Sequence, residues 1–356
     1  MHQNLSPMNS KAMFFKRTAR LTLTALSIGV VALAILNPNN PLISKLPFLE
    51  DVPTNSISGL PGGDGPVLVV KIDDTRQAHP QIGLENADII YIEQVEGGLT
   101  RLAAIFSSKI PTHIGPVRSA RISDIELLEQ YGNVAFAYSG AQKKMRPVIE
   151  AANLEDLGAQ SQSSTIYTTD PNRIQPYAMV LRADLLMQQI AERELPVALS
   201  KSMGWEFGDA PDGGMDISSA HLSWPASSYD AHWSEEDERW LLDHVGQPNI
   251  AASGERLGAK TLVIQLVSIT DSIYKDKVGG VTPFSATVGI GRGYILRDGK
   301  AFEANWSRDN ASSGTTWRTP GGEVIAFAKG QIWVALTDKE PVFTKKTSDA
   351  GIKSSK

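Results

Sequence analysis

The sequence of 356 residues contains no cysteine. Disulfide bonds, thiolate metal ligands, a cysteine nucleophile and a lipid-carrying N-terminal cysteine are therefore excluded. An excess of positive charge is also missing, because 34 lysines and arginines stand against 39 aspartates and glutamates and leave a net charge of −5. Nucleic acid is consequently disfavoured as a partner. The glycine-rich segment GIGRG lies between predicted strands rather than between a strand and a helix, and we expect no cofactor.

One long uncharged run is present near the N-terminus, LTLTALSIGVVALAIL, with basic residues before it. With the two preceding residues the run covers 19–36, close to the roughly 20 residues that cross a bilayer. Because flanking positive charge stays in the cytoplasm, we predict a cytoplasmic segment at 1–18, a single transmembrane anchor at 19–36, and all later residues outside the cytoplasm. The alternative is a signal peptide cleaved near Ala34, which would also export the remainder.

Changes in composition divide the rest of the chain. Residues 37–65 are dense in proline, glycine and asparagine and are predicted to form a linker. A first domain is predicted at 66–205 and a second, β-rich domain at 218–343, with a glycine- and aspartate-rich junction at 206–217. The polar tail at 344–356 is predicted to be disordered.

The predicted first domain mixes strands and helices without a regular βαβ alternation, which favours an α+β fold over a doubly wound sheet. Short apolar, β-branched runs predict four strands, at VLVVKI, ADIIYIEQV, RLAAIFSS and NVAFAYSG. The segment SDIELLEQYG predicts a helix in which Ser123 and Glu126 form a capping box and Gly132 marks the end.

The glycine pair that follows Glu96 predicts a hairpin with a two-residue turn. That register would pair Gln94 with Arg101 and would place Glu96 diagonal to Arg101 on the same face of the hairpin. Glu93 would lie on the opposite face. The two glutamates would then not face each other as the paired carboxylates of a glycosidase do.

The segment IGPVRSAR places Arg118 and Arg121 just ahead of the predicted helix. A helix N-terminus carries partial positive charge and disfavours cations by a few tenths to about 1 kcal/mol each, so an anion should compensate. One interpretation is an internal ion-pair network with carboxylates such as Glu96 or Asp73. The other is an external ligand, because guanidinium groups suit carboxylate and phosphate.

Several of these segments carry a family resemblance. QIGLENADIIYIEQVEGGLTR, IGPVRSAR and DPNRIQPYAMVLRADLL, with GRGYILRDGK and GQIWVALT in the second half, resemble motifs of the YerB-like family of exported bacterial proteins. The resemblance covers about residues 66–342 and implies a layered β/β/α sandwich-type N-terminal domain and a membrane-tethered location, but no reaction. The chain departs from lipoprotein relatives in lacking a cysteine, so its tether would be the apolar run. It also has Trp240-Leu241-Leu242 where the family has Tyr-Leu-Arg.

These observations predict a membrane-anchored, extracytoplasmic binding or scaffold protein of the bacterial cell envelope. It would contact the cell membrane through the N-terminal helix and recognise an anionic wall polymer or an envelope protein. The candidate ligand-binding residues are the arginines of this region and the polar residues expected around them: Arg118, Ser119, Arg121, Glu93, Glu96, Arg101, Asp73 and Arg146.

Two other hypotheses stay open at this level. One is a hydrolase or transferase of envelope glycan that uses Glu93 or Glu96 as acid or base, assisted by Asp73. The other is a purely structural module without a ligand. No metal site is predicted, because His79 and His113 are isolated and lack the spacing of known metal motifs.

Overall fold

The computed structural model describes residues 53–276 and 278–347. The predicted cytoplasmic segment, the predicted transmembrane anchor at 19–36 and the end of the predicted tail lie outside these residues. The described part is rich in strands, as the sequence predicts for the second domain, and has few helices. None of the helices in this part combines the length and the apolar character that crossing a membrane requires.

The first half of the described chain contains eight strands and three short helices. The strands are β1 (Leu68–Asp73), β2 (Ile89–Gln94), β3 (Thr100–Phe106), β4 (His113–Ile114), β5 (Val134–Ala137), β6 (Leu154–Asp156), β7 (Tyr167–Thr169) and β8 (Met179–Arg182). The helices are α1 (Ile122–Glu129), α2 (Arg146–Ala151) and α3 (Ala183–Glu192). Single 3-10 turns occur at Arg76–Ala78, Leu84–Asn86, Glu96–Gly98 and Lys143–Met145.

The second half consists of strands joined by turns. They are β9 (Met215–Trp224), β10 (Ser227–Ser234), β11 (Arg239–His244), β12 (Gln247–Pro248), β13 (Gly258–Ala259), β14 (Thr261–Leu266), β15 (Ile269–Lys275), β16 (Val281–Ser285), β17 (Gly289–Arg297), β18 (Lys300–Arg308), β19 (Thr316–Arg318), β20 (Ile332–Thr337) and β21 (Val342–Lys345).

One 16-stranded sheet runs through both halves, with the main order β12-β11-β10-β9-β18-β17-β14-β20-β2-β3-β1-β5-β6. Strand β20, from the end of the chain, lies between β14 and β2 and is parallel to both. All six of its residues are buried. Its sequence, IWVALT, is mostly apolar, as a strand covered on both faces requires. The predicted junction at 206–217 therefore connects two parts of one sheet.

The central strands are covered on both faces. Every residue of β1 and β3 is buried, and alternate residues of β1 belong to two separate apolar clusters, one on each face. Such strands read as continuous apolar runs, because both faces need apolar side chains. Lys71 and Asp73 interrupt this pattern in β1 although both are buried. Charged side chains in this position need partners.

The second part of the predicted linker is packed against the sheet. Ile57 is fully buried, and the Asn55 amide donates to the hydroxyls of Ser107 and Ser200 at 3.1 Å each. Prolines and glycines in this stretch thus form tight turns. Tight turns and flexible linkers are rich in the same residue types, so composition alone did not distinguish them. At the other end, β21 pairs with β9 as far as Lys345, inside the predicted tail.

Candidate functional site

The segment IGPVRSAR runs beside the end of β1 in an extended conformation. The carbonyl of Pro116 accepts a hydrogen bond from the Asp73 N–H at 2.9 Å, and the Arg118 N–H donates to the Lys71 carbonyl at 2.8 Å. On the other side, the Arg118 carbonyl accepts from the N–H of Ser139, just after β5, at 2.9 Å. The main chain of the segment is therefore fixed between two strand ends, and so is the position from which its arginine side chains extend.

The β2–β3 hairpin differs from its predicted register by one residue. Glu93 lies opposite Arg101, and Gln94 lies opposite Thr100. The turn contains three residues, Glu96–Gly98, and its glycines adopt positive φ angles of 70° and 74°. Because a shift of one residue exchanges the faces of a strand, Glu93 rather than Gln94 shares a face with Arg101.

Helix α1 is capped differently from the prediction. The N-cap residue is Arg121, whose extended backbone continues the fixed segment, and its N–H donates to Asp124 Oδ2 at 2.6 Å. Ser123 and Glu126 lie inside the helix and accept hydrogen bonds from main-chain N–H groups at and after the end of β16. The predicted capping box was wrong, because the extended path of IGPVRSAR sets where helical geometry begins.

A buried ion-pair network lies on the same face of β1 and β2. Lys71 Nζ is 2.8 Å from Glu93 Oε1 and 2.7 Å from Asp124 Oδ1, and none of the three side chains is exposed. Burial, together with the charge of Asp124, raises the pKa of Glu93 to about 7, against the opposing effect of Lys71. One cation thus serves two carboxylates, and Glu93 Oε2 is buried without a hydrogen-bond partner among the described residues.

Arg118 pairs with the carboxylate of Asp73. Its Nε donates to Asp73 Oδ2, while the other oxygen of that carboxylate accepts from the N–H and hydroxyl of Thr75 at 2.8 and 2.7 Å. The Arg118 guanidinium lies 5.8 Å from the ring centroid of Tyr177, within cation–π range. About a quarter of the arginine side chain, 24%, is exposed.

Arg121 pairs with Glu96 from the hairpin turn. Its Nε and Nη2 both lie 2.8 Å from Glu96 Oε2. The Thr282 hydroxyl, from β16, donates to the other carboxylate oxygen. Burial raises the pKa of Glu96, but Arg121 and Thr282 outweigh this effect and lower it below its usual range. The carboxylate is therefore held ionised in the turn.

Arg101 differs from the other two arginines. Its Nη1 donates to the Ser119 carbonyl at 3.3 Å, and among the described residues no carboxylate forms an ion pair with it within 4.0 Å. The side chain is only 9% exposed. Burial and the charges of Arg121 and Arg118 lower its pKa to about 9. Arg101 is thus the one guanidinium of the three without a carboxylate partner among the described residues.

These groups surround a cleft of about 560 Å³, called the arginine cleft below. It is lined by charged and polar side chains from several elements: Glu96, Arg101, Arg118, Ser119, Arg121, Ser139, Gln142, Gln160, Tyr177 and Asp276. Other cavities of the described chain reach a similar volume, for example one of about 570 Å³ beside His113. The arginine cleft is distinguished by its three guanidinium groups.

The structure brings together five of the eight predicted site residues, namely Arg101, Arg118, Ser119, Arg121 and Glu96, along the wall of this cleft. The other three lie elsewhere. Asp73 supports Arg118 from behind and is 1% exposed. Glu93 belongs to the buried network. Arg146 is exposed to solvent at the first residue of α2.

Part of the cleft was not predicted from the sequence. Tyr177, Gln142 and Gln160 come from loops after the fixed segment, and Asp276 comes from the β15–β16 hairpin. The Asp276 carboxylate accepts hydrogen bonds from its own turn, at 2.9 Å from the Val278 N–H and 2.7 Å from the Gly280 N–H. The only sequence signal for any of them was the segment DPNRIQPYAMVLRADLL, which contains Tyr177 and was quoted above for its family resemblance.

A second polar cluster lies beside Asp74, at the end of β1. Asp74 contacts two imidazoles, with His79 Nε2 at 3.5 Å and His244 Nε2 at 3.6 Å. The sequence analysis treated His79 as an isolated histidine. His244 lies at the end of β11, about half the chain away, so the spacing along the sequence gave no indication of this cluster.

Two family models match the chain. The N-terminal domain of a protein of unknown function (DUF3048) matches residues 57–196, and the C-terminal domain of the same family matches residues 220–334. The chain belongs to the DUF3048 family. This result confirms the YerB-like family indicated by the sequence motifs.

Two comparisons with individual proteins support the same family. A Bacillus subtilis (strain 168) protein named "Putative lipoprotein YerB" is 39% identical over 83 residues, which is 22% of this chain and about a quarter, 25%, of that protein. The crystal structure of YerB from Bacillus subtilis superposes with a TM-score of 0.69 at 18% identity, over 82% of this chain and 99% of that one. The superposition shows a shared fold.

The arginine cleft of this chain is built from both segments that match the DUF3048 family models. The three arginines and Glu96 lie in 57–196, whereas Thr282 and Asp276 lie in 220–334. The site therefore depends on the pairing of the two segments in one sheet.

Proposed function

We propose that this chain is an extracytoplasmic, envelope-associated protein whose arginine cleft binds an anionic group on a wall polymer or on another envelope protein. Its membership of the DUF3048 family and its similarity to a protein named as a lipoprotein support the envelope location. In this proposal the apolar run at 19–36 is the membrane anchor, and cleavage near Ala34 is the alternative.

The observation that carries the proposal is Arg101. A guanidinium that is nine-tenths buried and has one carbonyl partner keeps unsatisfied donors at the cleft wall. Its neighbours Arg118 and Arg121 keep their own carboxylates, Asp73 and Glu96. These carboxylates hold two arginines in place but leave the third positive charge for a ligand.

The chemistry of the cleft suits a small planar or tetrahedral anion. Arginine donors match carboxylate and phosphate oxygens, and buried, fixed donors lose little side-chain entropy on binding. Hydroxyl and amide groups of Ser119, Ser139, Gln142 and Gln160 lie along the same wall and supply neutral hydrogen-bonding groups. Asp276 stands at the cleft as well, and its negative charge favours a ligand with a single anionic group over a highly charged one.

The enzymatic alternative gains less support from the geometry. Glu93 has no exposed surface and is bound to Lys71, so it does not reach a substrate in this arrangement. Glu96 is bound by Arg121 and Thr282, with a lowered pKa. A general acid works best with a pKa near the operating pH, whereas the pKa of Glu96 is lowered away from neutral pH. We therefore favour binding over catalysis.

The test uses inorganic phosphate and acetate as probes, titrated at low ionic strength into the full chain in mild detergent. Arg101→Gln is expected to weaken binding of the preferred anion about 10- to 100-fold, the loss of one or two charge-assisted hydrogen bonds. Isothermal titration calorimetry measures the affinity, and added salt should weaken it further.

Arg146→Gln is the matched control, because Arg146 is an exposed arginine of the same half of the chain outside the cleft. It should bind as the wild type does. The proposal would be overturned if the wild type, Arg101→Gln and Arg146→Gln had equal affinities. It would also be overturned if neither phosphate nor acetate bound to the wild type.

A further inference from the structure

We propose that Asp74, His79 and His244 form a binding site for a transition-metal ion of the zinc type. One ligand atom from each of these side chains lies within 4.8 Å of the other two. The residues come from three places: the end of β1, the loop after the first 3-10 turn, and the end of β11. The site thus joins the two matched family segments.

The distances agree with the size of a zinc centre. Bonds of about 2.0–2.2 Å to nitrogen and oxygen place tetrahedral ligand atoms roughly 3.4 Å apart. Asp74 oxygens lie 3.5 Å from His79 Nε2 and 3.6 Å from His244 Nε2. The two distances go to different oxygens, Oδ1 for His79 and Oδ2 for His244, so one carboxylate oxygen is at ligand spacing from each imidazole.

Asp74 is held as a ligating carboxylate usually is. Tyr229 donates its hydroxyl to Asp74 Oδ1 at 2.7 Å, and Thr100 donates to Oδ2 at 2.5 Å. Each carboxylate oxygen has two acceptor positions. Gln81 Nε2, 3.4 Å away, takes the second position on Oδ1, and one position on Oδ2 is left for a metal. Hydrogen bonds of this kind orient ligands around metal ions.

A neighbouring amide supplies an independent indication. Gln81 is fully buried and its Nε2 lies 3.1 Å from His79 Nε2 and 3.4 Å from Asp74 Oδ1. Its Oε1 is buried without a hydrogen-bond partner among the described residues. A buried acceptor of this kind normally has a donor, and water on a bound metal ion would be one.

One movement is required. The rings of His79 and His244 are stacked, with centroids 4.5 Å apart and planes 6° from parallel. A metal ion lies near the plane of each imidazole that binds it, so two parallel rings do not share one ion. His79 is in a loop and 18% of its side chain is exposed, whereas His244 is buried between strands. We therefore assign the rotation to the His79 ring.

The donor set selects the metal. Two imidazoles and one carboxylate suit Zn²⁺ and neighbouring transition metals, whereas Mg²⁺ and Ca²⁺ prefer oxygen ligands. Three protein ligands leave a position for water or another ligand. The site is close to the arginine cleft in sequence, because Asp74 follows Asp73 and Thr100 precedes Arg101. Successive side chains of a strand alternate between faces, so the site lies on the opposite face of the strands.

The experiment titrates Zn²⁺ into the full chain, purified in mild detergent without a histidine tag and treated with a chelator. Isothermal titration calorimetry is expected to show one equivalent of Zn²⁺ bound, with no comparable binding of Mg²⁺. His79→Gln and His244→Gln should each weaken this binding by more than about 100-fold, beyond the 10- to 100-fold that outer-shell changes cost. Co²⁺ should give a visible spectrum that both variants lose.

His232→Gln is the control, since His232 is an exposed histidine 3.4 Å from a carboxylate, Asp243. It should bind Zn²⁺ as the wild type does. Thermal unfolding without metal identifies any variant that does not fold. If His244→Gln does not fold, the Zn²⁺ affinity of His79→Gln alone tests the proposal. Three results would overturn the proposal. The first is an unchanged Zn²⁺ affinity in folded His79→Gln, and the second is an equal loss of affinity in the control His232→Gln. The third is equal binding of Mg²⁺ and Zn²⁺ by the wild type.

Discussion

Two charged groups lie side by side on one face of strands β1, β2 and β3. In the buried network, Lys71 contacts Glu93 and Asp124, and all three side chains are inaccessible to solvent. In the arginine cleft, two of the three guanidinium groups pair with a carboxylate, around a space of about 560 Å³ that Asp276 also lines. Lys71 and Glu93 of the network and Arg101 of the cleft share this face through the alternation of side chains along the strands.

The comparison separates a charge cluster that holds the fold together from one that can hold a ligand. The network is enclosed, because its one cation and two carboxylates contact each other and have no surface at which an external group could bind. The cleft leaves Arg101 with a carbonyl and with two like charges nearby. The number of carboxylate partners for each cation and the access to solvent distinguish the two groups.

Removing the cation of the network should have the largest effect on stability. Lys71→Met leaves two buried carboxylates without a cationic partner, and it is expected to lower the free energy of unfolding by about 3–5 kcal/mol. Urea denaturation followed by circular dichroism measures this change. Lys144→Met, at an exposed position of the same half, should change it by less than about 0.5 kcal/mol. Similar values for the two variants would contradict the network.

Two arginines of the cleft should differ in their contribution to stability. Arg121→Gln leaves the buried Glu96 carboxylate with one partner fewer and is expected to cost about 1–3 kcal/mol. Arg101→Gln removes a cation that has no carboxylate partner among the described residues, and its effect should be under about 1 kcal/mol. The same denaturation measurement checks the order. An equal or larger loss for Arg101→Gln would make that residue a structural one.

The pH dependence of stability should have opposite signs in the two groups. The pKa of Glu93 is raised to about 7 from the ordinary 4.5, so the folded protein keeps a proton that the unfolded chain releases. The contribution of Glu93 is present at low pH and decreases as the pH rises from about 4.5 to 7. The pKa of Glu96 is lowered, and its contribution decreases as the pH falls.

The measurement compares unfolding free energies of Glu93→Gln and Glu96→Gln with the wild type at pH 5 and pH 8. Relative to the wild type, Glu93→Gln should gain stability on going from pH 5 to pH 8, because the unfavourable ionisation is gone. Glu96→Gln is compared at pH 3 as well, and its deficit should be smaller there than at pH 8, because the contribution of Glu96 is lost only as the pH falls below the ordinary 4.5. The same pH profile for both variants would show that the two carboxylates do not occupy different environments.

Local chemistry predicted much of the first half correctly. The runs VLVVKI, IIYIEQ and RLAAIF are strands because their side chains are apolar and β-branched, and the two glycines mark the hairpin turn. The register was not predictable, since a two-residue and a three-residue turn both accommodate this glycine pair. Ser123 likewise has the right chemistry for an N-cap, but hydrogen bonds of IGPVRSAR to β1 shift the start of the helix.

By itself, the sequence determined the family, the strand-rich character and the arginines that meet at the cleft. These follow from residue types and from spacing over a few positions. The tertiary structure decided which carboxylate each arginine contacts, that Arg101 contacts none within ion-pair distance among the described residues, and that His244 meets Asp74. Such pairings join residues far apart in the chain, and they depend on strand order and register, which short-range patterns do not encode.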